Sequence, residues 1–222
     1  ETFCRVVQAD PGHLSTRIML DISADKLQQD VPWAATRALW YARIARTADW
    51  FVSGEADRLA LAQPVEFEVK ARATLADLGF SLTAKADRID LAADGRAYIY
   101  DYKTGLPPSP SEQRYFDKQL LLEAAMAENG DFEGLGPVSV AEAIYIGLGS
   151  KPVTTAAPLD DEPPMQVWEA FHALIKAYQD PAQGYTARRA MQSDKTPSDY
   201  DQLARFGEWD VTIPATVQMV KP

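Results

Sequence analysis

Two aspartates and a lysine stand out in residues 86–105, ADRIDLAADGRAYIYDYKTG. Carboxylates without histidine or thiolate neighbours are suited to a hard divalent cation, Mg²⁺ or Mn²⁺ rather than Zn²⁺. Asp87 and Asp101 are therefore candidate metal ligands and catalytic residues, and Lys103 is a candidate catalytic residue. An ammonium two positions from a ligand can polarise an attacking water and offset negative charge in a phosphoryl-transfer transition state. The pattern indicates metal-dependent phosphodiester hydrolysis.

The strand pattern around these residues predicts how they meet. Apolar and polar residues alternate in 79–90, with the period of two typical of a half-buried strand, and Asp87 ends the polar face. An Asp-Gly turn follows and predicts a hairpin with residues 97–103. On the returning strand Asp101 and Lys103 share a face. The hairpin is expected to bring Asp87 beside Asp101.

Other interpretations stay open on these residues alone. Asp87 next to Arg88 could be a strand-end charge beside a surface cation. Asp101 with Lys103 could be an exposed same-face ion pair, the usual arrangement of surface charges. The two aspartates could also form a metal-free acid–base pair.

The rest of the chain predicts the elements that position this hairpin. The expected order is a helix at 33–61, a strand at 65–72, the hairpin, a helix at 111–128 capped by Ser111, a strand at 140–148 and a helix opened by the acidic and proline residues at 160–164. On strand 65–72, Glu66 and Glu68 either bring a further carboxylate to the sheet or lie on an exposed face. Residues 152–158 are predicted to be a flexible loop. The order predicts an α/β fold, a mixed sheet flanked by helices.

The ordered set of Asp87, then Asp101, Tyr102 and Lys103, then a helix carrying Gln119 resembles the PD-(D/E)XK nuclease superfamily, and its RecB-like branch in particular. The segments ADRID, YIYDYKTG, PPS and DKQLLLEAAMAE are similar to the C-terminal nuclease domain of the AddB subunits of bacterial AddAB helicase–nucleases. GYTARRAM and DYDQLARFGEWD resemble the end of that domain. The resemblance implies an α-β-β-β-α-β core.

The resemblance also implies a role for each matching residue. Asp87 and Asp101 would ligate the metal, and the backbone carbonyl of Tyr102 would complete the protein ligands. Lys103 would be the catalytic lysine. Gln119, in relatives, supports the site or the nucleic acid.

Two positions depart from the family pattern. Relatives have a tyrosine four residues after the glutamine, and here Glu123 either removes a DNA contact or adds a carboxylate behind the ligands. Relatives also carry a Gly-x-x-x-His signature shortly before a segment resembling Glu1, Thr2 and Phe3. That histidine is expected upstream of Glu1, so the chain is expected to be a fragment of a longer protein. Neither His13 nor His172 is a good substitute.

The resemblance runs from about residue 33 to residue 210. It implies that residues 1–222 form a single RecB-like nuclease domain, with a core at about 63–150 and flanking helices in 1–62 and 160–210. With 222 residues, of which 46% are hydrophobic, the chain is long enough for one domain with a true core.

Charge and cysteine content limit the partners and cofactors. A net charge of −10 opposes the basic surface of a stand-alone DNA-binding protein, so DNA binding is expected to be weak and salt-sensitive. Local basic residues occur at Arg188, Arg189 and Lys195 near Tyr185, and at Arg37, Arg43 and Arg46 on an early helix. Cys4 is the one cysteine, so neither an internal disulfide nor an iron–sulfur cluster is expected.

No apolar run approaches the roughly 20 residues of a membrane span, which predicts a cytoplasmic protein without a membrane partner. The function implied is a Mg²⁺- or Mn²⁺-dependent DNA exonuclease domain. It would process double-strand breaks together with an AddA-like helicase–nuclease subunit. The alternative is a catalytically inactive scaffold or DNA-end-binding module of the same complex.

Overall fold

In a computed structural model of the chain, the described residues are 1–185, 200–210, 212–214 and 216. The basic positions Arg188, Arg189 and Lys195 lie outside the described residues, so their predicted role in DNA binding stays a prediction. The chain forms two compact units, residues 1–169 and 170–222. The single-domain interpretation of residues 1–222 likewise stays a prediction.

The first unit contains three helices, a hairpin-rich sheet and two further helices. The elements are α1 (Thr2–Ala9), α2 (Thr16–Asp30), α3 (Ala34–Leu61), β1 (Gln63–Leu75), β2 (Phe80–Leu91), β3 (Ala97–Lys103), α4 (Pro110–Tyr115), α5 (Gln119–Asn129), β4 (Val140–Gly147) and β5 (Val153–Ala156). Helix α6 (Pro164–Gln179) begins in the first unit and ends in the second. Among the described residues, no helix has the length and apolar character that crossing a bilayer requires.

The five strands form one sheet in the order β1-β2-β3-β4-β5. The β1–β2 and β2–β3 pairs are antiparallel, β3 and β4 are parallel, and β5 is antiparallel to β4. The parallel pair is possible because α4 and α5 carry the chain across one face between β3 and β4. The predicted fold class, a mixed sheet flanked by helices, is confirmed.

Helices cover both faces of this sheet, and the alternation of strand residues decides what each face contacts. On β3, Ala97 and Ile99 belong to the apolar cluster that contains Leu120 and Leu121 of α5. Tyr98 and Tyr100 belong to a second cluster with α1 and α3. Because side chains two apart share a face, Asp101 and Lys103 continue the α5 face at the end of the strand.

The helix predicted at 111–128 is two helices. Ser109, rather than Ser111, caps α4: its hydroxyl accepts from the Glu112 N–H, and the Glu112 carboxylate accepts from the Ser109 N–H. This reciprocal capping box, with proline at the first helical position, starts the helix two residues early. The chain then leaves helical geometry at Phe116 and restarts at Gln119.

One further prediction was wrong in detail. Residues 153–156 within the predicted flexible loop form β5, because they pair with 144–147 of β4 and so satisfy the backbone groups of that edge. Along α6, the burial of apolar side chains differs between the start and the end of the helix. Val167 is buried, but Leu174 and Tyr178 are exposed.

Candidate active site

The β2–β3 hairpin brings the two aspartates together. Arg88 lies opposite Tyr100 in the register, so the next step places Asp87 opposite Asp101. The backbone N–H of Tyr102 donates to Oδ2 of Asp87 at 2.9 Å. The Asp87 side chain therefore replaces a backbone acceptor where the hairpin pairing ends, which fixes this carboxylate against β3.

Lys103 is held in a closed set of contacts with Asp101 and Gln119. Its Nζ donates to Gln119 Oε1 at 2.8 Å and forms an ion pair with Asp101 Oδ2 at 2.9 Å, without hydrogen-bond geometry. Gln119 Nε2 donates to Asp101 Oδ1 at 2.6 Å. The Asp101 side chain is buried, whereas that of Lys103 is 32% exposed. The ammonium is thus fixed by two partners and still reaches solvent.

Tyr145 of β4 and Asp117 fix the start of α5 beside this set. Tyr145 lies opposite Asp101 in the parallel register, and its ring centroid is 5.2 Å from Lys103 Nζ. Its hydroxyl donates to Asp117 Oδ1 at 3.1 Å, and the same oxygen accepts from the Gln119 N–H at 3.3 Å. Sequence reasoning missed both residues. The one local signal concerns Asp117, which is an acidic residue two positions before Gln119 at the start of a helix.

Glu123 lies one turn after Gln119 and is 3% exposed. Its Oε1 accepts from Gln119 Nε2 at 3.1 Å, and its Oε2 is buried with no hydrogen-bond partner among the described residues. Burial, and to a smaller extent the charges of Asp101 and Asp87, raise the pKa of Glu123 to about 8. Glu123 is thus a buried carboxyl group directly behind Gln119.

Asp87 is in an anionic environment. Burial raises the pKa of Asp87, and the charges of Asp101 and Glu68 add to this, while the Tyr102 N–H and Lys103 lower it. The β1–β2 register runs through 67–88 and 69–86, which leaves Glu68 opposite Asp87. Three neighbouring strands therefore each bring one carboxylate to the same row of the sheet. Repulsion of this kind is relieved by a bound cation.

Glu68 also has an unusual backbone. Its φ is +57°, in the left-handed region that residues other than glycine rarely occupy, and its carboxylate pairs with Lys85. Of the two interpretations left open by the sequence, the structure supports the first: Glu68 is partly buried and shares a cavity with Asp87. Strained residues of this type occur preferentially at functional sites.

A cavity of about 480 Å³ opens beside the Asp87 carboxylate. Its walls include Glu68 and Tyr102 from the sheet and Phe3, Met19 and Trp40 from the three N-terminal helices. This volume lies within the range of small-molecule and cofactor pockets. The carboxylates of Asp87 and Glu68 therefore line a cavity on the side of the sheet covered by α1, α2 and α3.

Arg88 is fully buried, so the interpretation of this residue as a surface cation beside Asp87 is wrong. Its guanidinium lies 2.7 Å from Glu55 of α3 and 2.6 Å from Asp90, and Glu55 also pairs with Arg58. This network ties α3 to β2 at the residue next to Asp87. No local pattern indicates it, because Glu55 and Arg88 are 33 positions apart.

Neither histidine of the chain completes the site within the described residues. His13 ends a 3-10 turn, where its Nδ1 lies 3.4 Å from Asp10, and His172 belongs to α6. Among the described residues, no group of three or more His, Cys, Asp and Glu side chains has the spacing to hold a metal ion. The side-chain donors at the Asp87–Asp101 pair are carboxylate oxygens, which suit a hard divalent cation.

Comparison with known proteins agrees with this geometry. A sequence model described as the PD-(D/E)XK nuclease superfamily matches residues 7–206. An uncharacterized protein of Rickettsia typhi (strain ATCC VR-144 / Wilmington) is 27% identical over 116 residues, which is 50% of this chain and 13% of that protein. The chain thus matches only a small part of that relative's length. Since the superfamily match extends over most of the sequence, this chain belongs to the PD-(D/E)XK nuclease superfamily.

Proposed function

We propose that this chain is a Mg²⁺- or Mn²⁺-dependent DNA exonuclease domain. The observation that carries the proposal is the Lys103 ammonium held between Asp101 and Gln119, with Asp87 facing Asp101 from the neighbouring strand. Membership of a nuclease superfamily supports phosphodiester hydrolysis as the reaction. The metal-free acid–base pair is less favoured, because such a pair gives no role to a fixed ammonium beside the carboxylates.

Asp87, Asp101 and the Tyr102 carbonyl would hold the cation. The Tyr102 N–H points to Asp87, and a strand residue's C=O points to the same side as its N–H, so this carbonyl faces β2 as well. Burial is the main cause of the raised pKa of Asp87, and the negative charges of Asp101 and Glu68 add to it. A cation bound between Asp87 and Asp101 would relieve this part of the repulsion. When bound, the cation supplies Lewis-acid polarisation of the phosphodiester and lowers the pKa of a coordinated water.

Lys103 provides electrostatic stabilisation in this proposal. Its contacts with Asp101 and Gln119 keep the ammonium in one position, so little reorganisation is needed when charge develops on the phosphate. Its exposure allows contact with an attacking water or a phosphate oxygen. Gln119 acts through Lys103 and Asp101, because both of its amide ends are occupied by these residues.

Cleavage of end-labelled DNA with Mg²⁺ or Mn²⁺, against EDTA, tests the proposal. Lys103→Ala is expected to lower kcat by about 100-fold or more, the effect of removing one preorganised stabilising group. Lys151→Ala removes an exposed lysine from a loop and is the matched control. Equal cleavage by the Lys103 and Lys151 variants would show that the proposed mechanism is wrong. Cleavage of circular single strands as fast as linear ones would refute the exonuclease assignment.

One observation favours a catalytically inactive scaffold or DNA-end-binding module as the second candidate. Within the described residues, no third side-chain ligand is spaced to join Asp87 and Asp101. Anomalous scattering from crystals soaked in Mn²⁺ separates the two candidates without a DNA substrate. A peak between the two carboxylates supports the nuclease, and ordered carboxylates without a peak support the scaffold.

The biological setting we infer is double-strand break processing with an AddA-like helicase–nuclease subunit. The acidic composition supports such a partner, because a chain of net charge −10 gains little from phosphate contacts alone. A cationic partner would deliver the DNA strand to the site. Adding the AddA-like subunit is expected to raise the rate of cleavage from DNA ends, and an unchanged rate would argue against this setting.

A further inference from the structure

Glu123 occupies a position where an apolar residue would pack better. The flanking residues of α5 are almost completely buried, as shown by Leu120, Leu121, Ala124 and Ala127. Among them, the Glu123 carboxyl has one hydrogen-bonded oxygen and one buried oxygen without a partner among the described residues. Burying a polar group in this way is unfavourable for folding. Local choices that oppose stability are expected mainly at functional sites.

The one hydrogen bond that Glu123 accepts within the described part of the chain comes from the residue that holds Lys103. A glutamine amide has two N–H donors and one acceptor oxygen. Gln119 Nε2 donates one hydrogen to Asp101 and the other to Glu123, while its Oε1 accepts from Lys103. A flipped amide would place its oxygen against two carboxyl groups and its NH₂ against an ammonium. Glu123 thus adds to the preference for the amide orientation in which Gln119 Oε1 accepts from Lys103.

We propose that Glu123 is a positioning residue that locks the Gln119 amide and, through it, the Lys103 ammonium. This proposal rests on the nuclease function proposed above. Glu123 acts through Gln119 and has no role as a metal ligand. The lock requires an acceptor at position 123 but no charge, so a glutamine side chain can supply it with its carbonyl oxygen.

Three variants test the lock. Glu123→Leu removes the acceptor and is expected to lower kcat about tenfold, the factor for one hydrogen bond near a charged group, with KM unchanged within about twofold. Glu123→Gln keeps the acceptor and is expected to retain activity within about threefold. Glu128→Leu is the matched control on the same helix: it removes a carboxylate that accepts from the Val140 N–H and does not touch Gln119. Urea unfolding checks that Glu123→Leu is no less stable than the wild type.

A second readout does not depend on cleavage. In ¹⁵N-glutamine-labelled, metal-free protein, the side-chain NH₂ signal of Gln119 reports both of its hydrogen bonds. Glu123→Leu is expected to shift this signal and speed its exchange with solvent, while Glu123→Gln and Glu128→Leu leave it near the wild-type position. If the signal does not respond to Glu123→Leu, the proposal is overturned.

The outcomes also separate this proposal from the one on which it rests. If the wild type does not cleave DNA and Lys103→Ala changes nothing, the nuclease function fails, and the Gln119 signal still decides whether Glu123 holds the amide. If Glu123→Gln loses Mn²⁺ affinity with the Gln119 signal unchanged, Glu123 is a ligand and the positioning role is overturned. Equal loss of kcat in Glu123→Leu and Glu128→Leu would also overturn it, because the effect would then be structural.

Discussion

The buried Glu123 carboxyl predicts a pH-dependent penalty on the stability of the metal-free protein. The perturbation is Glu123→Gln, which removes the ionisable group and keeps an oxygen that accepts from Gln119. In the folded chain the pKa of Glu123 is raised to about 8, chiefly by burial, from an ordinary value of 4.5. Between these two values the unfolded state loses the proton and the folded state keeps it. The unfolded state therefore gains stability relative to the folded state as the pH rises through this window.

The size of the penalty follows from the pKa difference. At about 1.4 kcal/mol for each pKa unit, the shift from 4.5 to about 8 corresponds to about 5 kcal/mol above pH 8. At pH 5 the penalty is only about 1 kcal/mol, because this pH lies just above the pKa of the carboxyl group in the unfolded state. The amide introduced by Glu123→Gln has a buried donor of its own, which costs about 1–3 kcal/mol at every pH. The stability difference between Glu123→Gln and wild type should therefore change by about 4 kcal/mol between pH 5 and pH 9, and this change measures the cost of ionising Glu123 in the folded protein.

Urea unfolding in EDTA at pH 5, 7 and 9, followed by tryptophan fluorescence, measures this difference. We expect the free energy of unfolding of Glu123→Gln, relative to wild type, to increase steadily from pH 5 to pH 9. Glu133→Gln is the control, since Glu133 is exposed, and its difference from wild type should be flat with pH. Parallel stability curves for wild type and Glu123→Gln from pH 5 to pH 9 would refute the reasoning, because they would mean that the folded carboxyl ionises like an exposed one.

Three other predictions concern packing and charge. Arg88→Leu leaves the buried carboxylates of Glu55 and Asp90 without their shared partner. We expect the free energy of unfolding, measured in urea, to fall by about 3–5 kcal/mol. A decrease below about 1 kcal/mol would contradict a buried network. A Cβ on Gly147 would lie 2.6 Å from Pro107 Cδ. Gly147→Ala is therefore expected to cost about 1–3 kcal/mol, which thermal unfolding would detect. An unchanged midpoint would mean that the loop after Lys103 moves to accommodate the methyl group. DNA affinity of the isolated chain, measured by fluorescence anisotropy, is expected to be weak and to fall about tenfold between about 50 and about 200 mM salt. A loss of about 1,000-fold would indicate many more phosphate contacts than a chain of net charge −10 is expected to make.

Much of the fold could be predicted because it depends on local patterns. The alternation of β2 and β3 and the Asp-Gly turn between them specify a hairpin with few alternatives, and the register of that hairpin decides that Asp87 meets Asp101. The strand parity that puts Lys103 on the same face as Asp101 follows from the same period of two. The break between α4 and α5, within the helix predicted at 111–128, could not be predicted in this way. Helix α5 begins next to Asp117, which contacts Tyr145 of a later strand.

The amino-acid sequence by itself determined the order of the elements, the hairpin and the ordered set of Asp87, Asp101, Lys103 and Gln119. Each depends on neighbours within a few positions or on a recognisable spacing. The tertiary structure alone decided the environment of these groups. Glu123 is buried behind Gln119, and Glu68 faces Asp87 from a strained backbone. Arg88 forms an ion pair with Glu55 of α3. Burial and charge pairing depend on contacts between residues far apart in the chain, and these exist only once the helices pack on the sheet.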